Sequence, residues 1–133
     1  MFGMSLNAVT AIAAEGDLRL TGREGILEIS HNGEFRGVCD DSFDREDAQV
    51  ACAQLGGSLI RYSTGMTGFN DQHWVDDLAC RGDERYLDQC PRSSWGVENC
   101  GAAEHVAVEC DFRSRDNDPR GPGRDRDRNQ DPR

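Results

Sequence analysis

The sequence predicts a small α+β domain framed by disulfides, and three observations within residues 17–112 of the 133-residue chain predict it. Short segments that alternate apolar and polar residues read as half-buried strands. One segment repeats its apolar residues every three or four positions, as an amphipathic helix does. Six cysteines accompany an aromatic content of only 7%, so covalent bridges must supply part of what a small core does not.

The elements follow in order. Asp17 to Thr21 and Gly25 to Ser30 alternate, with Leu18, Leu20, Leu27 and Ile29 on the inward side. His31-Asn32-Gly33-Glu34 carries the Asn-Gly pair favoured by a type I′ turn, whose two central residues take positive φ; Phe35 to Cys39 is the returning strand. The period then changes. In Asp44 to Leu55, the residues Ala48, Ala51, Cys52 and Leu55 fall at i, i+3, i+4 and i+7 and share one helix face. Asp44 is the expected N-cap, Asp47 stands in the first turn, and Gly56-Gly57 ends the helix. Cys52, on the inner face, ties the helix to the core. Residues 56–73 are rich in Gly, Ser and Thr and read as a long loop. Asp83 to Gln89 reads as a short second helix with Leu87 inward, and Glu104 to Cys110 as a last strand with Val106, Val108 and Cys110 on one side.

Charge divides the chain into three. It holds 25 acids against 15 basic residues, all of them Arg, for a net charge of −10. Residues 17–112 carry 19 acids and 8 Arg, a net of −11, and form the predicted domain. A field of that sign disfavours nucleic acid and anionic lipid and attracts cations and basic partners. Residues 113–133 have 7 Arg interleaved with 5 Asp, three of the chain's four prolines and no apolar residue, which predicts a disordered tail or linker. Residues 1–16 contain the short apolar stretch Ala8 to Ala14 without a basic region before it; a weak signal peptide and a linker are both open readings. No apolar run approaches the roughly 20 residues that span a bilayer, so no membrane insertion by this chain itself is expected.

The cysteines are Cys39, Cys52, Cys80, Cys90, Cys100 and Cys110. None stands two to four residues from another, which argues against a structural zinc site and a Cys-x-x-Cys redox motif. An even number in a small polar chain is the pattern of disulfides formed in an oxidising compartment. Spacing leaves all 15 pairings open.

Ordered strings narrow the choice. Gly37-Val38-Cys39-Asp40-Asp41-Ser42-Phe43-Asp44, Asp47-Ala48-Gln49-Val50-Ala51-Cys52-Ala53-Gln54-Leu55-Gly56, Trp74-Val75-Asp76-Asp77-Leu78-Ala79-Cys80, Leu87-Asp88-Gln89-Cys90-Pro91 and Trp95-Gly96-Val97-Glu98-Asn99-Cys100 resemble successive signatures of the scavenger receptor cysteine-rich (SRCR) domain, in its six-cysteine, group A form. Phe43 departs from the Trp usual there. The resemblance spans about Leu18 to Phe112. It implies the bridges Cys39–Cys100, Cys52–Cys110 and Cys80–Cys90, and a curved antiparallel sheet cradling the helix. It also implies a non-catalytic, scavenger-receptor-like recognition module, secreted or part of a receptor ectodomain and of the kind used in innate immunity. The alternative is an accessory or structural piece of a larger secreted or membrane-bound enzyme or receptor.

The residues themselves show no catalytic constellation: there is no Gly-x-Ser-x-Gly, His-Glu-x-x-His or phosphate-cradling Gly loop. His31 falls in a turn, His73 in a loop and His105 on the exposed side of a strand. Trp74 and Trp95 read as packing residues. Arg36, Arg61, Arg81 and Arg92 read as scattered surface charge, with an anion-holding rim as the sharper alternative. Carboxylates are the stronger signal. Asp40, Asp41, Asp76, Asp77, Asn99 and Glu104 cluster around the cysteines, and hard oxygen ligands on a rigid surface suit Ca²⁺, with Mg²⁺ less favoured because it keeps its own water shell. By the resemblance, Asp40, Asp41 and Glu104 hold one cation, and Asp76, Asp77 and Asn99 a second. The expected partners are anionic glycans, microbial surface polymers or extracellular proteins, engaged with Ca²⁺ assistance.

Overall fold

A computed structural model describes residues 13–112. The expectations for residues 1–12 and for the Arg/Asp/Pro-rich segment 113–133 lie outside the described residues. Strands β1 (Leu18–Thr21), β2 (Ile26–His31) and β3 (Glu34–Val38) precede helix α1 (Arg45–Leu55). Strand β4 (Ser58–Met66), strand β5 (His73–Val75), a 3₁₀ turn (Leu87–Gln89) and strand β6 (His105–Asp111) follow. The sheet runs β4-β6-β2-β3-β5, with β1 paired to β2 off that path. All pairings are antiparallel except β3 with β5.

Local rules account for the β2–β3 hairpin and for α1. Asn32 and Gly33 take φ of 53° and 78°, as a type I′ turn requires, and His31 pairs with Glu34 across it. At α1 the Asp44 side chain accepts from the Asp47 backbone N–H, and the Asp47 side chain accepts in return from that of Asp44. This reciprocal box satisfies two donors that a helix start otherwise leaves open. Gly56 ends the helix at φ 96°, where its N–H returns to the last turn. The buried face is Asp47, Ala48, Val50, Ala51 and Cys52; Leu55, expected inward, is half-buried.

The helix lies against the sheet over a core that includes Leu27, Ile29, Val38, Val75, Leu78, Leu87, Val106 and Val108. Three disulfides frame it: Cys39–Cys100, Cys52–Cys110 and Cys80–Cys90, the pairs that the resemblance implies. Cys52–Cys110 joins α1 to β6, and Cys39–Cys100 ties the end of β3 to the segment leading into β6.

Three sequence expectations are corrected. The long loop at 56–73 contains β4, nine residues long, and the first residue of β5. Pairing with β6, whose residues lie 39 to 53 positions further along the chain, makes this strand, and its Gly, Ser and Thr content hides it from any local window. The second helix at Asp83–Gln89 shrinks to the single 3₁₀ turn Leu87–Gln89, because the disulfide at Cys90 and the apolar anchor Leu87 hold it without a full helical turn. His105 is buried at 1% exposure rather than exposed, since β6 lies between β4 and β2 and buries four consecutive residues.

Candidate functional site

The end of β3, the segment after β5 and the entry to β6 meet at a group of acidic side chains. Cys39 bridges His105, and the Asp40 backbone N–H donates to Glu104 O at 3.0 Å, so Asp40 and Glu104 are neighbours through main-chain contact as well as the disulfide. Oxygens of Asp40, Asp41 and Glu104 lie within 4.8 Å of one another. A second group, within the same limit, joins Asp41 to Asp76 and Asp77. Asp41 therefore belongs to both. Asn99 is exposed; its Oδ1 lies 3.8 Å from Cys100 Sγ, and Cys100 Sγ lies within 4.8 Å of an Asp76 oxygen.

Backbone amides hold these side chains in place. Glu104 Oε1 accepts from Gly101 N–H at 2.7 Å, Asp40 Oδ2 from Gly65 N–H at 3.0 Å, and Asp76 Oδ1 from Asp77 N–H at 2.8 Å. The Asp76 main chain is locked to Ser93 in both directions. Burial raises the Asp76 pKa above the ordinary carboxylate value, helped by the nearby Asp77 and Asp41 charges and opposed by the Asp77 amide. Like charges at this range repel one another unless a cation lies between them, and hard oxygen ligands match Ca²⁺ chemistry. Three further groups include Cys39, Cys80, Cys90 or Cys100, but sulfurs engaged in disulfides offer no thiolate to a metal.

The tryptophans, His31 and the four arginines make contacts within the domain. Trp74 donates its indole N–H to Glu34 O at 2.8 Å. His31 stacks on Trp95 at 4.4 Å and meets Trp74 edge-on at 4.7 Å; it also pairs with Glu15. Arg36 and Arg92 cover the faces of Trp74 and Trp95 at 4.0 and 4.1 Å, a cation–π arrangement. Arg36 also pairs with Glu34, Arg61 with Glu109, and Arg81 with Asp83. Each of the four arginines thus has a partner within the domain.

His73, expected in a loop, is a buried β5 residue whose ring lies 4.2 Å from that of His105. Each donates its Nδ1–H to a backbone carbonyl, His73 to Asp71 O and His105 to Ala102 O. Burial, then the neighbouring His73, lowers the His105 pKa. A methyl group added at Gly37 or Gly68 would sit 2.6 or 2.5 Å from the His105 ring, so both glycines make room for it. A hollow of about 360 Å³ near Gly16, Gln54, Tyr86 and Asp88 has no His, Cys or Ser in its lining. Sequence reasoning missed two contributors to the acidic site. One is the sharing of Asp41; the other is Gly65, whose role comes from its backbone and leaves no side-chain signal.

The fold and this site define a small, disulfide-framed recognition domain. The model of the scavenger receptor cysteine-rich domain family matches residues 16–111, and the chain belongs to that family. The SRCR domain of mouse MARCO, solved in a dimeric form, is 33% identical; the match covers 79% of this chain and 99% of that one, with a TM-score of 0.62. The third SRCR domain of murine neurotrypsin is 31% identical over 72% of this chain and 96% of that one, with a TM-score of 0.61. SRCR domains are extracellular ligand-recognition modules and are generally non-catalytic. Among the described residues no helix is long and apolar enough to cross a membrane.

Proposed function

We propose that the domain binds Ca²⁺ at Asp40, Asp41 and Glu104, and at a second site formed by Asp76, Asp77 and Asn99 with the shared Asp41. The bound cation recruits anionic groups on glycans, microbial surface polymers or extracellular proteins. What supports this reading is the gathering of Asp40, Asp41 and Glu104 oxygens within 4.8 Å on a disulfide-pinned frame, with two of the three carboxylates oriented by backbone amides. Ca²⁺ takes six to eight oxygens; with Asp40 Oδ2 and Glu104 Oε1 already accepting from backbone amides, the three carboxylates leave four, and the open positions accept a ligand's carboxylate or sulfate. Mg²⁺ binds more weakly, because it demands a tighter octahedron and releases water reluctantly. The cation also cancels most of the local negative charge of a domain that otherwise repels polyanions.

Calorimetric titration of the oxidised protein with CaCl₂ tests this. Wild type gives binding heat, and Asp41→Ala abolishes binding at both sites, because it removes a ligand from each. Heparin as a polyanion probe binds wild type in CaCl₂ and is released by a chelator. Unchanged calcium affinity in Asp41→Ala, or heparin binding indifferent to chelation, contradicts the mechanism.

A further inference from the structure

We infer that Gly65, at the end of β4, is a positioning residue of the first cation site; this rests on the proposed reading of that site. Its N–H donates to Asp40 Oδ2 at 3.0 Å. The Asp40 main chain is held separately, through its N–H to Glu104 O and its carbonyl to Phe43 N–H, so the Gly65 amide fixes the rotation of the carboxylate itself. The sheet builds this contact through an irregularity. The pairing of β4 with β6 slips between Ser63 and Met66, and at the slip Gly65 takes a φ of 66°, a left-handed conformation that side-chain-bearing residues avoid. Nothing lies within 4 Å of a Cβ built at Gly65. Glycine is therefore used there for the conformation that turns the amide toward Asp40, and not for space. With Oδ2 occupied by the amide, Oδ1 is presented to the cation. Hydrogen bonds that orient a ligating side chain in advance reduce the ordering cost that binding otherwise incurs.

Calorimetry with CaCl₂ on the oxidised chain, paired with thermal melts, separates positioning from general stability. Gly65→Ala weakens calcium binding by about tenfold. Gly65→Asn, which tolerates the left-handed region and keeps the N–H, stays within about threefold of wild type. Gly33, in the β2–β3 turn, has a φ of 78° and equally open space, so Gly33→Ala introduces the same kind of backbone strain away from the carboxylates. It lowers the melting temperature as Gly65→Ala does and leaves calcium affinity unchanged. Wild-type affinity in Gly65→Ala, or an equal loss in Gly33→Ala, overturns the inference and leaves the site reading intact. Absence of binding heat in wild type removes the site reading, and the inference with it.

Discussion

Asp47 shows how far a single residue departs from its sequence role. The spacing marks it as a first-turn acid near the positive end of a helix. In the fold it is fully buried: Oδ1 accepts from Cys80 N–H at 2.7 Å and Oδ2 from Asp44 N–H at 2.8 Å, so one carboxylate couples the start of α1 to the Cys80–Cys90 segment. Burial raises its pKa to about 6, opposed by the two backbone donors. The folded protein therefore holds this proton more tightly than the unfolded chain. The resulting stability is fully present below the ordinary Asp value of 3.8 and is lost as pH rises through about 6. In urea titrations from pH 4 to 7, wild type is expected to lose stability relative to Asp47→Asn as the pH increases; a constant difference contradicts the linkage. Asp47→Ala leaves two buried amides without an acceptor and should cost about 2–4 kcal/mol near pH 4, and less toward pH 7 as the wild type loses its own linked stability. Asp40, Asp41 and Glu104 were legible as a set through the family resemblance, whose implied Cys39–Cys100 bridge brings Glu104 toward the Asp40-Asp41 pair. The buried imidazoles of His73 and His105 were not, since a lone histidine carries no mark of burial.

At the scale of elements, β2, β3 and α1 were legible because each is specified by neighbours a few residues away: alternation, an Asn-Gly turn, an N-cap and a terminating glycine. Strand β4 was not. Its burial pattern alternates only weakly, two register shifts interrupt its pairing with β6, and its partner is remote in sequence. The disulfides differ in the same respect. Cys52–Cys110 closes 58 residues and Cys80–Cys90 closes 10. Loop entropy assigns the first ~4 kcal/mol and the second ~3. The double variant Cys52→Ala/Cys110→Ala is thus expected to have a lower urea midpoint than Cys80→Ala/Cys90→Ala. It also loses the covalent link between α1 and β6, which widens the difference. The reverse order would show that the 80–90 segment, rather than the helix–strand link, carries the framework.

For the whole molecule, the net charge of −11 over residues 17–112 is a self-repulsion that folding concentrates where β3, β5 and β6 converge. Calcium should relieve it. Binding to the folded state alone adds about 2.7 kcal/mol when free calcium is a hundredfold above Kd. Melting curves should accordingly shift upward in CaCl₂, return on chelation, and show no matching shift in NaCl of equal ionic strength. An equal rise in Asp41→Ala would remove the site from the explanation. The sequence by itself determined the even set of cysteines, the hairpin and the helix, and its ordered strings marked the family, because local rules and fixed residue identities carry those. Only the tertiary structure decided that a Gly/Ser/Thr-rich stretch is a strand, that Asp47, His73 and His105 are buried, and that Asp41 serves two acidic groups at once. Those outcomes depend on contacts between residues tens of positions apart, and such contacts leave no periodic trace in the chain that makes them.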